Sequence, residues 1–396
     1  MDPVRNPFAP GAGSPPPELS GRDEIIEKAR VTLARIRQGR SEKSLLLVGL
    51  RGVGKTVLLN QIRKTAEQDG YLAEIIEVPE QKRIADLLIP VLRKILLRLD
   101  DVANVSSKVK HAFQVLRSFM STVKFSYSGI DIDIGVDPAR GQADSGDIEH
   151  DLQDLFIAVG EAAQARQTAV AIIIDELQYM SEKELSALIM AMHKVSQNQL
   201  PLVLIGAGLP QLVGLSGKSK SYAERLFEFP KVGPLSETDA RAALQEPANR
   251  EGVAFDDSAL AEILRVTEGY PYFLQEWGYH AWNLAKTSPI SMDIIQRTNL
   301  LATQRLDESF FRVRFDRLTP GEKRYLRAMA ELGPGPHRSG DIADILMLKV
   351  NQVGPVRSSL IRKGMIFSPN HGDTAFTVPL FDQFMRRFMP EAEITG

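Results

Sequence analysis

The sequence predicts an α/β protein: a parallel sheet with helices on both faces, then a helical region, then a small mixed region. Three observations carry this. Five short, continuously apolar runs alternate with amphipathic stretches across residues 21–235, the pattern of strands buried on both sides. The first run empties into a glycine-rich turn, "GLRGVGKT" (49–56). After residue 235 the strand pattern stops and helical spacing takes over, and a third pattern begins at 318.

Residues 1–20, "MDPVRNPFAPGAGSPPPELS", are too proline-rich for a helix or a central strand. They read as a loose tail or as an extended arm packed along the core. Ile25, Ile26, Ala29, Leu33 and Ile36 make 22–38 helical. "KSLLLVGL" (43–50) is the first strand, and "TVLLNQIRKTAEQDG" (56–70) an amphipathic helix stopped by Gly70. "YLAEIIEVP" is the next strand, and 82–119 are helical. In 121–137, Val123, Phe125 and Tyr127 alternate with polar residues, as do Ile130, Ile132 and Ile134 with Asp131 and Asp133. Ser128-Gly129 between them predicts a β-hairpin insertion. That alternation, not a Ca²⁺ loop, explains "DIDIGVD", which lacks the spacing and the closing Glu of such loops. A helix (148–166), the strand "AVAIIIDELQY" (169–179), a helix, the strand "LPLVLIGAG", the helix "SYAERLF" and the strand "FEFPKV" complete the core.

Residues 236–317 are helical throughout and form a lid region, opening at a capping box on Ser236 and Asp239. From 318 to 390, three short helices and a two-stranded wing predict a winged helix-turn-helix domain, with 391–396 as a tail. Its third helix, "NQVGPVRSSLIRKG", is expected to start near Pro355, since proline fits only a first turn.

The bulk numbers exclude several chemistries. The 396 residues contain no cysteine, so disulfides, thiolate-held zinc, iron–sulfur clusters and thiol nucleophiles are out. The six histidines are scattered without metal-ligand spacing. A net charge of −2 means that any nucleic-acid surface is local. No signal peptide pattern and no apolar run of the roughly 18 residues that span a bilayer is present, so a cytoplasmic protein is the default expectation.

"GLRGVGKT" satisfies G-x-x-x-x-G-K-[ST], the phosphate-binding P-loop. Gly49, Gly52 and Gly54 let backbone N–H groups turn inward around phosphate oxygens, and Val53 and Val57 complete the cradle. Lys55 would reach the β- and γ-phosphates of ATP, and the Thr56 hydroxyl would ligate Mg²⁺. The helix that follows points its N-terminus at the anion. Asp175 closes an apolar strand, where the Mg²⁺-holding acid must lie, and Glu176 beside it can polarise the attacking water.

Together "GLRGVGKT", "IIIDELQ", "VLIGAGLP" and "TEGYPYFLQ" resemble the AAA+ ATPases of the origin-recognition initiator type, and equally their bacterial and archaeal relatives bordering the STAND signalling ATPases. "ELSGRDEIIEKA" resembles the segment with which that family cradles adenine. The resemblance covers roughly 18–390. It implies ATP hydrolysis, DNA engagement and an arginine finger before the fifth strand, at Arg225; a surface ion pair with Glu224 or Glu228 is the alternative there. The finger implies self-association. Two departures imply slow turnover. The fourth strand ends in Gly206-Ala207-Gly208, with no polar sensor, and the lid turn reads Gly269-Tyr270-Pro271-Tyr272, with no arginine. Pro271 there resembles the signalling ATPases, in which proline touches the nucleotide.

In the C-terminal region Asn351, Gln352, Arg357 and Ser358 are expected to face a DNA groove, and Lys349, Arg362 and Lys363 the phosphates. Ten bases against six acids over 318–390 give a local +4. The leading expectation is a slow ATPase that couples nucleotide state to duplex DNA. The alternatives are a nucleotide-held switch whose winged helix docks protein, and an accessory ATPase for transposition or loading.

Overall fold

The computed structural model describes residues 1–11, 13, 16–80, 82–100, 107–123, 136–220, 223–370 and 372–390. Five parallel strands form one sheet in the order β2-β3-β4-β1-β5. They are β1 (Ser44–Val48), β2 (Tyr71–Glu77), β3 (Ala169–Asp175), β4 (Leu202–Gly208) and β5 (Phe227–Glu228). These are the five runs expected from the sequence. Every residue of β1, β3 and β4 is buried. Each fully buried Leu or Ile there contributes about 2 kcal/mol, which is why these strands need no polar face.

Helices Ile84–Asp100, Ser107–Thr122, Ile148–Ala165 and Glu182–Gln197 pack on one face of the sheet, and Asp23–Arg37 and Lys55–Gln68 on the other. The helix Ser107–Thr122 runs into the first residues expected in the hairpin, and residues 124–135 lie outside the described part. So do 391–396.

Past β5 come the helices Glu237–Arg250, Asp257–Thr267, Pro271–Leu284 and Met292–Leu306. Ser236 caps the first, its hydroxyl accepting from Asp239 N–H at 3.2 Å. Trp277 and Trp282 are buried, and their indole N–H groups donate to Asn299 and to the Asp2 carbonyl. Their role is packing.

The arm is packed, not loose. Phe8 is 2% exposed and sits over Gly278, where a Cβ would meet its ring at 2.6 Å. Arg5 pairs with Glu251, and Ala9 N–H donates to Gln275. Contrary to expectation, Pro3–Arg5 form a 3₁₀ turn, capped by Asp2; proline at the first position loses only a donor that the turn leaves unpaired anyway.

The C-terminal part holds helices Pro320–Glu331, Ser339–Ile345 and Val350–Arg362, then Phe381–Phe388. Between them β6 (His337–Arg338), β7 (Ile366–Phe367) and β8 (Asp373–Phe376) form an antiparallel sheet in the order β6-β8-β7. The sheet has one strand more than the sequence suggested. Helix Val350–Arg362 also starts earlier than expected, with Pro355 inside it. Pro355 and Asn351 are both exposed, so water can satisfy the carbonyl that the proline ring leaves unpaired. One apolar cluster runs from Phe8 through the lid helices to Met389.

Candidate nucleotide site

The turn Gly49–Gly54 joins the C-terminal end of β1 to helix Lys55–Gln68. Gly54 has φ +90°, a conformation that costs other residues strain, and a Cβ on Gly49 would lie 2.1 Å from the Val232 carbonyl. Lys55 Nζ donates to the carbonyls of Gly49 and Leu50 at 2.9 Å each. Burial pushes its ammonium down to about 8, against the pull of Glu176 and Asp175. A cation held this dry lacks a strong counter-charge.

Thr56 Oγ1 donates to Asp175 Oδ2 at 2.5 Å. Residues from the P-loop and from the end of β3 therefore meet, although 119 positions separate them. Burial raises the Asp175 carboxyl above its ordinary range, and the Thr56 hydrogen bond works against that. A hydroxyl and a carboxylate at one point are the hard oxygen donors that Mg²⁺ takes alongside phosphates. Glu176 follows in a left-handed conformation, φ +57°, a strain characteristic of functional turns. One of its oxygens accepts from Gln178 Nε2, and the other lies 3.8 Å from Arg51. Gln178 in turn accepts from Leu209 N–H at 3.0 Å, at the tip of β4. The polar group missing from Gly206-Ala207-Gly208 is thus supplied from the neighbouring strand's end. Gln178 closes the "IIIDELQ" stretch, but its contact with the β4 tip could not be read from the sequence, because it depends on how the neighbouring strands end.

These residues border a cavity of about 330 Å³ between the sheet, the lid and the arm. Gly52, Val53, Gly54, Val57 and Pro271 also line it. Tyr272 N–H donates to the Gly52 carbonyl at 3.1 Å, so the lid turn touches the P-loop directly. Ala9, Pro10 and Leu19 from the arm and the segment after it also line the cavity. Arg22, from the segment expected to cradle adenine, donates to the carbonyls of Val53 and Gly233.

Arg51, an unspecified position of the motif, is the junction to the C-terminal part. Its N–H donates to the Thr377 carbonyl at 3.0 Å and its side chain to Tyr179 Oη at 2.6 Å. Gly364 lies against it: a Cβ there would be 3.1 Å from Arg51 Nη2.

The remaining candidates lie elsewhere. Arg225 is exposed on the helix Ala223–Leu226, directly before β5. β5 pairs with Ser44 and Leu45, at the end of β1 remote from the P-loop. Neither expected ion pair forms; Glu228 pairs with Lys28 instead. In helix Val350–Arg362, Asn351, Gln352, Ser358 and Arg362 are exposed. Gln352 accepts from Lys349 N–H as part of the helix cap. Two residues correct the expectation. Arg357 turns inward, donating to Thr374 Oγ1, Ser368 Oγ and the Asp373 carbonyl at 2.8–2.9 Å. Lys363 donates to Glu322 at 2.7 Å and to the Arg317 carbonyl. Both cations are spent on fixing the helix to the rest of its region. Among the described residues no group of three or more His, Cys, Asp or Glu could hold a metal, and no helix is long and apolar enough to cross a membrane.

Residues 18–205 match a family model described as an AAA ATPase domain. Residues 308–385 match one described as a domain of unknown function, DUF8462. The chain carries an AAA ATPase domain and is an ATP hydrolase. A Walker-type ATPase of Pyrococcus abyssi is 17% identical with a TM-score of 0.54, covering 93% of this chain and 96% of that one. The two share a fold. The Orc1 protein of Aeropyrum pernix, solved in complex with DNA, is 14% identical with a TM-score of 0.48, covering 98% and 97%. The RuvB Holliday junction branch migration motor of Thermotoga maritima is 15% identical with a TM-score of 0.44, covering 90% and 92%. No curated protein matches the chain.

Proposed function

We propose that the chain is an initiator-like AAA+ ATPase that turns ATP over slowly and uses nucleotide state to set the posture of a DNA-engaging C-terminal winged helix. The observation that carries this is the direct bond from the P-loop to the C-terminal part, Arg51 N–H to the Thr377 carbonyl. A change of P-loop conformation on nucleotide binding must be felt at that bond.

In this reading Gly49, Gly52, Val53, Gly54 and Val57 cradle the phosphates, Lys55 neutralises them, and Pro271 borders the nucleotide. Thr56 and Asp175 hold Mg²⁺, whose charge would offset that of the phosphates. Glu176 orients and deprotonates the attacking water. Gln178 pins that carboxylate on the protein side, which supports a poised but slow site. Arg225, exposed before β5, is free to complete a neighbouring copy's site. The helix–strand order of the C-terminal part supports a winged helix. With Arg357 and Lys363 occupied, DNA falls to Asn351, Gln352, Ser358 and Arg362, with Lys349 at the rim. A surface this modest in charge suits a nucleotide-gated contact.

The same bond favours a second reading, a nucleotide-held switch in which the C-terminal part rests on the P-loop until an effector displaces it. Equilibrium binding of duplex DNA at several salt concentrations, with no nucleotide, ADP or a non-hydrolysable ATP analogue, separates the two. Salt-sensitive binding that changes with nucleotide is expected. Absence of duplex affinity in every nucleotide state would leave the switch.

A further inference from the structure

The lid turn offers no arginine, yet the cavity holds an arginine from further along the chain. Arg314 lies on helix Arg312–Asp316, past the lid and inside the 308–385 segment. A stack of contacts carries it to the P-loop. The Gly52 carbonyl accepts from Tyr272 N–H, the Tyr272 ring stacks on Phe310 at 4.8 Å, and the Arg314 guanidinium lies 4.1 Å over Phe310. Arg314 also donates to the Phe310 carbonyl. With Arg51, Lys55 and Glu176 it lines the one cavity.

The electrostatics there are unbalanced. Among the described residues no carboxylate forms an ion pair with Arg314. Arg51 repels its charge, and Tyr272, Tyr179 and then Glu176 support it from a distance. Burial pushes the guanidinium down to about 10, so it remains a cation at neutral pH. Three guanidiniums (Arg22, Arg51 and Arg314) and the Lys55 ammonium line the cavity against two carboxylates, Glu18 and Glu176, which leaves an excess of positive charge suited to an anion. A planar guanidinium held over an aromatic ring keeps N–H donors that can meet a phosphoryl group.

We infer that Arg314 is the side chain that reads the terminal phosphate, so that this phosphate ties the C-terminal part to the P-loop. The inference rests on the nucleotide reading above. It makes the 308–385 segment part of the nucleotide site and gives the chain a triphosphate-specific contact that its lid turn lacks. Arg51 acts beside it as the second cation, already anchored to Thr377 and Tyr179.

The test is calorimetric binding of ADP and of adenylyl imidodiphosphate to the full chain, as wild type, Arg314→Ala, Arg314→Lys and Arg312→Ala. Thermal melting of each variant checks folding. Wild type should prefer the triphosphate analogue. Arg314→Ala should lose roughly 10- to 100-fold in affinity for that analogue, the range of a charge-assisted hydrogen bond, and keep its ADP affinity within about twofold. Arg314→Lys, which keeps the charge, should recover part of the preference, and Arg312→Ala, on the exposed side of the same helix, should change neither affinity. An equal loss for both nucleotides, an unchanged preference in Arg314→Ala, or a wild type that binds both equally would each overturn the inference while leaving the P-loop reading intact. A wild type that binds neither nucleotide would overturn both.

Discussion

The nucleotide cavity and the rest of the C-terminal region treat their cations in opposite ways. At the cavity, buried Lys55 from the core and half-buried Arg314 from the C-terminal segment have no paired carboxylate, and both have their proton affinity lowered by burial. In the C-terminal region the cations that looked free in sequence are satisfied: Arg357 by three acceptors, Lys363 by Glu322, and Arg386 by Asp382. A cavity cation with no paired carboxylate marks a group waiting for a ligand. A cation met by carboxylates or several acceptors within its own region marks a group that holds the fold. Counting bases along a sequence cannot tell these apart, because the difference lies in what each side chain meets.

The largest effect expected from this contrast is at Lys55. Lys55→Met should abolish nucleotide binding and yet stabilise the nucleotide-free protein. The sign follows from linkage. A lysine whose folded value is about 8, below its usual 10.4 or so, destabilises the fold fully below pH 8, and the penalty fades as pH rises through both values. The group therefore costs on the order of 3 kcal/mol at neutral pH. Denaturant melts at pH 7 should show Lys55→Met gaining stability, and the gain should shrink by pH 10. Nucleotide binding to wild type near pH 8.5 should take up protons, read from binding enthalpies in buffers of different ionisation heat.

Next comes Glu176. Glu176→Gln should keep nucleotide affinity and lower turnover by about 10²- to 10⁴-fold; undiminished turnover would remove it as the base. Then Arg357→Ala. If this residue holds the fold, its loss should destabilise the protein by about 2 kcal/mol and leave the salt slope of DNA binding unchanged. A slope reduced by about one, with normal stability, would restore it to the phosphate surface. The smallest effect is at exposed Arg362. Arg362→Ala should weaken duplex binding only a few-fold at physiological salt and reduce the slope by about one, without a change in melting.

The core was legible in the sequence almost to its ends. A strand buried on both faces must be apolar throughout, so β1, β3 and β4 announce themselves, and Thr56 and Asp175 meet because the β1 and β3 ends are held by one sheet. What the sequence hid is of another kind. Arg51, Gln178 and Tyr272 sit within the quoted motifs at positions to which those motifs assign no chemistry, Arg314 lies outside them, and each makes its contact at the site through tertiary packing. The arm was readable as non-helical in bulk but not as anchored, since Phe8 finds its notch over Gly278 only once the lid is built. The start of helix Val350–Arg362 was misplaced because propensity disfavours Pro355, while Val353 and Leu360, buried on the same helix, override it.

The central claim is that the two ends of the chain are coupled. It is tested most directly by steady-state ATP turnover while duplex DNA is titrated, with Glu176→Gln as the blank. Turnover that rises or falls saturably with DNA is the predicted result. Turnover above the blank that is indifferent to duplex at every concentration would contradict it.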